Sequence, residues 1–485
     1  MNFAKPSFLI FLTVVALVVL ALTSPKKRKL FLLAASYFFY GTWSVPFIGL
    51  ILASTSLDYW FSKKIFASTV ATRRKLLLAT GIAINLIILG IFKYCNFFID
   101  TTNSTLAFMH LQLVYIHPLK LLLPLGISFY TFEAISYLVD VFRGEAPADT
   151  FFDYNFYIMY FPHLISGPIV RYRELSSQMK DGIFLSLKSV QKGFELIVLG
   201  LVFKLLIADT VSGLADTAFQ NPSVVTVGQT YLAWAAFTAQ IYFDFMGYTH
   251  IARGVSLLFN IALPLNFDHP YNAQSISNFW QRWHISLSRW IRDYLFIPLG
   301  GSRGGDAART CLNLLLTMTI AGAWHGAGWA FIIWGAYHGL LLLLYHITSP
   351  LRTVVSTTAA KSMWSNWLYK AAGGVSTFLL VAYGWIWFRS PDTQTALAFS
   401  SKLCQLNQLY FEQSRLIRQE GDFSWLATML LLLVLCSGGP LAVRIYNSSF
   451  QGLPGWAKIQ AATAVFVICY IMCGAESKPF IYFQF

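Results

Sequence analysis

The residue best placed for chemistry is a histidine with no charged neighbour. In Met318-Thr319-Ile320-Ala321-Gly322-Ala323-Trp324-His325-Gly326-Ala327-Gly328-Trp329, His325 sits near the middle of a stretch, Cys311 to Tyr337, that carries no fixed charge. An ionisable group inside an apolar span is costly, and function is the default reason for keeping one. A neutral imidazole can take one proton near neutral pH, and an apolar surrounding favours that neutral form. Such a base could deprotonate a hydroxyl as it attacks a thioester carbonyl. No Ser–His–Asp or Cys–His order accompanies it, which favours direct transfer over a covalent intermediate on the protein. The competing reading is a histidine that hydrogen-bonds between packed helices. Gly322, Gly326 and Gly328 suit close packing as well as room for a substrate, and the residues alone leave both readings open.

A second block precedes it. Phe279-Trp280-Gln281-Arg282-Trp283-His284-Ile285-Ser286-Leu287-Ser288-Arg289-Trp290-Ile291-Arg292-Asp293-Tyr294 alternates aromatics with cations. On a single helix, Trp283, Leu287 and Trp290 share one face while Arg282, Arg289 and Arg292 lie elsewhere, the pattern of a helix in the membrane interface. The cations suit lipid headgroups or, equally, the mouth of a site for a phosphorylated ligand such as coenzyme A. Asn278, Arg282, Trp283, Arg289, Arg292, Asp293 and Trp324 are therefore candidate donor-binding or tunnel residues. Gly300 to Gly304 matches G-x-S-x-G, but a nucleophile elbow needs a strand before the serine and a helix after it. Ser302 is read as part of a flexible loop.

The elements that must hold these residues are apolar helices. Apolar residues make up 56% of the 485 and charged residues only 12%, against roughly 25% charged in soluble domains. The missing surface charge implies lipid contact, and aromatics at 17% suit interfacial belts. The formal charge of +14 lies largely in short runs between apolar stretches, Lys26 to Lys29, Lys63-Lys64 and Arg73 to Lys75. That pattern is the one cytoplasmic loops follow, so nucleic acid is not an expected partner. Runs at about 76–99, 189–208, 228–247, 311–335, 371–388, 424–437 and 459–474 are long enough to span, and 30–60 is expected to break at Gly41 and Pro46. Ser7 to Thr23 reads as an uncleaved first helix with a cytoplasmic C-terminal end. The expectation is an all-α polytopic membrane protein of about ten or eleven spans plus short re-entrant and interfacial helices. The most polar connector, 389–420, is expected to be a loop with a short amphipathic helix. The six cysteines form no C-x-x-C pair and read as buried thiols, with no metal site.

Ordered blocks resemble the membrane-bound O-acyltransferase superfamily, in its bacterial polysaccharide branch. These are Pro124 to Phe132, Tyr137 to Asp140, Phe161 to Arg171, Tyr242 to Phe245, Phe279 to Gly301, Trp324-His325-Gly326, Trp334 to Gly339, Trp387-Phe388-Arg389 and Phe480 to Phe485. The resemblance covers about 120 to 485. It implies a ring of tilted helices around a central tunnel, with funnels from both faces meeting at the catalytic histidine. It casts His325 as that histidine, His284 as the family's second, and Asp244 as an acidic residue near the tunnel. His250 and His163 stand where the family more often has Asp and Gln, and both read as structural.

The resemblance implies one membrane-embedded domain, 1–485, with peripheral helices over 1–119, a catalytic core over 120–350 and C-terminal helices over 351–485. It implies no bound cofactor. An acyl group, acetyl in the first reading, passes from a cytoplasmic donor, acyl-CoA or an acyl-carrier thioester, to an exported polysaccharide or its periplasmic carrier. Periplasmic acetylation proteins are the implied partners, and the bacterial inner membrane is the implied location. D-alanyl transfer from a carrier protein to teichoic acid is the alternative within the superfamily. A non-enzymatic transporter or scaffold is the alternative outside it, but the internal repeats and midplane charge pairs it calls for are not seen.

Overall fold

The computed structural model describes residue 3 and residues 5–111, 115–165, 167–302, 307–360, 362–410, 412, 428, 431, 438, 454–473 and 478–481. Among the described residues every regular element is helical. The expected span at 424–437 lies almost wholly outside them, as do the glycine loop after Ser302 and the end of the Phe480 to Phe485 block.

The chain forms two compact units, Met1–Ile197 with Thr249–Pro264, and Val198–Tyr248 with Leu265–Phe485. The first opens with helices Pro6–Ala21, Pro25–Gly41 and Pro46–Ala67. Each starts on a proline, whose fixed φ and missing N–H are harmless in the first turn. The 30–60 stretch breaks between Gly41 and Pro46 as expected. Phe8, Phe11, Phe39 and Phe161 pack together with ring centroids 5.3–6.4 Å apart. A long helical rod, Ala71–Phe108, passes through a π-helical turn at Gly90–Tyr94.

The second unit carries the chemistry-bearing blocks. Its frame includes Val227–Leu258, a helix of 32 residues whose part up to Tyr248 belongs to this unit, with Ala307–His325, Trp329–Ile347 and Met363–Arg389. The expected 311–335 span is instead two helices reversing at Gly326–Gly328. Glycine permits the pairing: a Cβ on Gly322 would lie 2.3 Å from the Phe331 carbonyl oxygen, and one on Gly335 2.3 Å from that of Met318. The connector after Arg389 holds the helix Thr393–Leu403, capped by Asp392 accepting from the Thr395 N–H.

Among the described residues, Ala71–Phe108, Trp329–Ile347 and Met363–Arg389 are long and apolar enough to cross a membrane. Other apolar runs fall short in length or in apolar content: Val227–Leu258 is long and unbroken but carries Gln229, Thr230, Gln240 and Asp244. Pro6–Ala21, with 16 residues, rises only about 24 Å against a hydrocarbon core of about 30 Å.

Candidate active site

His325 is the last residue of its helix, not the middle of a span. Its ring is 6% exposed. Trp324 lies 5.0 Å away, Trp334 of the following helix 5.1 Å away and nearly perpendicular, and Phe388 of Met363–Arg389 5.3 Å away. The turn that puts it there is tight, since a Cβ on Gly326 would lie 2.1 Å from the Phe331 ring. Gly322 and Gly326 are thus consumed by packing. The position also matters electrically, because the carbonyls at a helix C-terminus stabilise positive charge.

His284 lies at a second break. The expected single helix through 279–294 is two helices, Ile276–Arg282 and Ile285–Ile291, joined through His284 at φ +42. The segment just upstream takes up the backbone groups freed there. The Asp268 N–H donates to the Arg282 carbonyl at 3.0 Å, and the Ile285 N–H to the Asn266 carbonyl at 2.9 Å. The side-chain oxygen of Asn266 accepts from the Ser286 N–H at 3.2 Å and its hydroxyl at 2.8 Å, and lies 3.1 Å from His284 Nδ1. A left-handed non-glycine residue costs about 1–3 kcal/mol and persists where its surroundings over-determine it. The kink turns Trp283 and Trp290 inward, 1% and 6% exposed, which corrects the reading of an aromatic face laid on the membrane interface.

An aromatic layer runs from Trp283, the residue before His284, to His325. Trp283 packs on Trp385 at 4.8 Å, Trp385 stacks on Trp334 at 5.9 Å, and Trp334 meets His325. On its other side Phe245 meets the His284 ring edge-on at 4.7 Å. His338, within the Trp334 to Gly339 block but not among the sequence candidates, is buried in the same layer against Trp334 and Trp280 at 4.9 and 5.2 Å.

The cationic candidates occupy the outside of the kinked pair. Arg289 and Arg292 are exposed and Arg282 is half-buried. Asn278 accepts from Arg282 Nε at 3.1 Å, and Asp293 from Arg292 Nε at 2.7 Å, so each fixes an arginine. Asp244 is buried and held on both oxygens, by Lys204 at 2.5 Å and by the Ile481 N–H at 2.8 Å. Lys204 also reaches Asp209 at 2.8 Å. Lys204, the charged residue in the apolar second half of the 189–208 run, was the available signal for this cluster. Asn266 had none, because its role depends on the kink. In the first unit His163 is held on both sides, 3.1 Å from a Glu133 carboxylate oxygen and 2.9 Å from the Tyr157 carbonyl.

A family model described as MBOAT, membrane-bound O-acyltransferase family, matches residues 150–379, which include His284, His325 and His338. Over 403 residues the chain is 41% identical to a probable alginate O-acetylase of Pseudomonas syringae pv. tomato, covering 82% of this chain and 74% of that one. The chain belongs to the membrane-bound O-acyltransferase family. As a family member it is an O-acyltransferase and a membrane protein. Two further relatives are named for other acceptors. A peptidoglycan O-acetyltransferase of Helicobacter pylori is 32% identical over 505 residues, 95% of this chain and 92% of its own. A teichoic acid D-alanyltransferase of Streptococcus thermophilus is 29% identical over 266 residues, 50% of this chain and 62% of its own.

Proposed function

We propose that this acyltransferase moves an acetyl group from a cytoplasmic thioester, acetyl-CoA or an acyl-carrier thioester, to a hydroxyl on an exported polysaccharide or its periplasmic carrier, with His325 as general base. The observation that carries the assignment is the place of His325: an imidazole 6% exposed, ending a helix and walled by Trp324, Trp334 and Phe388. The neutral ring takes the proton of the acceptor hydroxyl as that oxygen attacks the thioester carbonyl carbon. The C–S bond then breaks, and the imidazolium returns the proton to the departing thiolate. Carbonyls at the helix end stabilise the ring while it is charged, and the aromatic walls keep water from competing as acceptor. His284 holds a supporting place, its chain neighbour Trp283 leading to His325 through Trp385 and Trp334.

Acetyl is favoured over D-alanyl because relatives named as O-acetylases match nearly the whole chain, whereas the D-alanyltransferase matches half of it. An alginate-like polymer is the acceptor suggested by relatives that are 41% identical and named as probable alginate O-acetylases. The proposal includes a single membrane-embedded domain with about ten or eleven tilted helices around a tunnel, in the bacterial inner membrane, working with periplasmic acetylation proteins. Arg282, Arg289 and Arg292 would meet the donor's phosphates at the cytoplasmic mouth, with Asn278 and Asp293 orienting two of them.

The test is complementation of a deletion strain. His325→Ala should leave membrane insertion and protein level unchanged while ester-linked acetate disappears from the exported polymer. Wild-type acetylation by that variant would overturn the assignment.

A further inference from the structure

Three side chains in the aromatic layer carry buried nitrogen atoms with no hydrogen-bond partner among the described residues: Trp280 Nε1, Trp334 Nε1, and both ring nitrogens of His338. Trp334 and His338 are each 0% exposed. The three rings touch one another, Trp280 to Trp334 at 5.9 Å, Trp280 to His338 at 5.2 Å and Trp334 to His338 at 4.9 Å. Leaving a buried donor unsatisfied costs stability, and packing in an aromatic layer does not by itself require ring nitrogens. The backbone is shaped around one of these rings. A Cβ on Gly384 would stand 2.8 Å from His338 Nε2. Trp334 also packs against His325.

In its neutral form the set offers two indole N–H donors, one imidazole N–H donor and one imidazole acceptor. A donor-rich set of this kind suits a carbonyl oxygen that gains negative charge. We infer that Trp280, Trp334 and His338 form a hydrogen-bonding subsite for the acyl group, in which the Trp334 N–H holds the thioester carbonyl oxygen beside His325. The inference rests on the proposed acetyl transfer. As the acceptor oxygen bonds to the carbonyl carbon, the C=O electron pair moves onto oxygen and the Trp334 N–H shares its charge; when the pair returns, the C–S bond breaks. Trp280 and His338 complete the polar lining.

Trp334→Phe removes the N–H and keeps an aromatic ring. Loss of one such donor lowers kcat about 10²- to 10³-fold in acyl transfer. The expected result is that fall in the rate of polymer acetylation by membranes of the complemented strain, with the concentration of acetyl-CoA giving half-maximal rate changed by no more than about threefold. His338→Phe should lose more activity than His338→Gln, whose amide can still hydrogen-bond, and Gly384→Ala should lose activity by displacing the ring. Thermal unfolding of the purified full-length protein separates this from a packing role. An orphaned donor adds nothing to stability, so these variants lose only what the changed ring volume costs in packing. Trp334→Phe and His338→Phe should therefore stay folded at the assay temperature, with an activity loss far larger than any fall in folded protein. Wild-type rates in both, with His325→Ala inactive, would overturn the subsite and spare the base. Acetylation by His325→Ala would overturn the base itself. Loss of activity only in step with loss of folded protein would assign the rings to packing and overturn the subsite.

Discussion

The Lys204 ammonium lies 2.5 Å from one carboxylate oxygen of Asp244, and the other oxygen accepts the Ile481 N–H at 2.8 Å. Both charged side chains are buried, at 1% and 2% exposure. The approach depends on Gly247, where a Cβ would stand 3.0 Å from the Lys204 backbone nitrogen and 2.8 Å from the Gly200 carbonyl. Phe480, next to Ile481, packs on Tyr248 at 4.2 Å and on Phe245 at 5.5 Å, and Phe245 in turn touches His284.

Removing Lys204 strands Asp244, whereas removing Asp244 leaves Lys204 its second carboxylate, Asp209, at 2.8 Å. Lys204→Met should lower stability by about 3–5 kcal/mol, whereas the triple variant Lys204→Met with Asp244→Asn and Asp209→Asn should recover most of the loss, because removing all three charges also removes their desolvation cost. Thermal unfolding in detergent reads both. A single variant as stable as wild type would show that Lys204 and Asp244 are not coupled.

Asn266 should act on the reaction through His284. Asn266→Ala removes the oxygen shared by His284 Nδ1 and both donors of Ser286. Acetylation should fall by about 10- to 100-fold, the range seen when groups that orient a functional histidine are removed at metal sites. Adding His284→Ala should then cost less than it does alone, because the two act as a unit. Strict additivity in that double-mutant cycle would separate the two residues.

Packing at the helix reversal gives a contrast between neighbouring glycines. Gly335→Ala forces a Cβ to 2.3 Å from the Met318 carbonyl, while Gly328→Ala meets only the Phe331 ring, at 3.7 Å. The first should destabilise by about 1–3 kcal/mol or more, as overpacking does, and should reduce activity by shifting Trp334 relative to His325. The second should stay within about 1 kcal/mol of wild type. Equal unfolding temperatures for the two would contradict the close pairing of these helices.

The exposed arginines should affect donor capture more than turnover. Neutralising Arg289 and Arg292 together is expected to raise the acetyl-CoA concentration needed for half-maximal rate several-fold. The effect should shrink at high salt, where the Debye length falls to about 3 Å at 1 M. The maximal rate should hold. Titrating acetyl-CoA against membranes at two ionic strengths checks this, and an unchanged half-saturation point would remove these arginines from the donor mouth.

Sequence alone carried the class of molecule. An apolar content of 56% with 12% charge leaves too little polar surface for a water-soluble shell, and that follows from composition whatever the fold. The break between Gly41 and Pro46 was equally legible, since proline and glycine act on the backbone locally. His325 was legible as an ionisable group among apolar neighbours, although its sequence surroundings suited packing as well as chemistry. What the chain order could not convey was where the helices end. Periodicity runs smoothly through Trp283-His284 and through Gly326 to Gly328, and the breaks there depend on contacts that periodicity does not encode, the Asn266 side chain for the first and the Phe331 ring against Gly326 for the second. Those breaks turn Trp283 inward and leave His325 at a helix end. Only tertiary packing could bring Trp334 and His338 of one helix and Trp385 and Phe388 of another into one aromatic layer with His325. A ring's partners are set by contacts across the fold, and apolar residues on neighbouring helices carry no label naming which will meet.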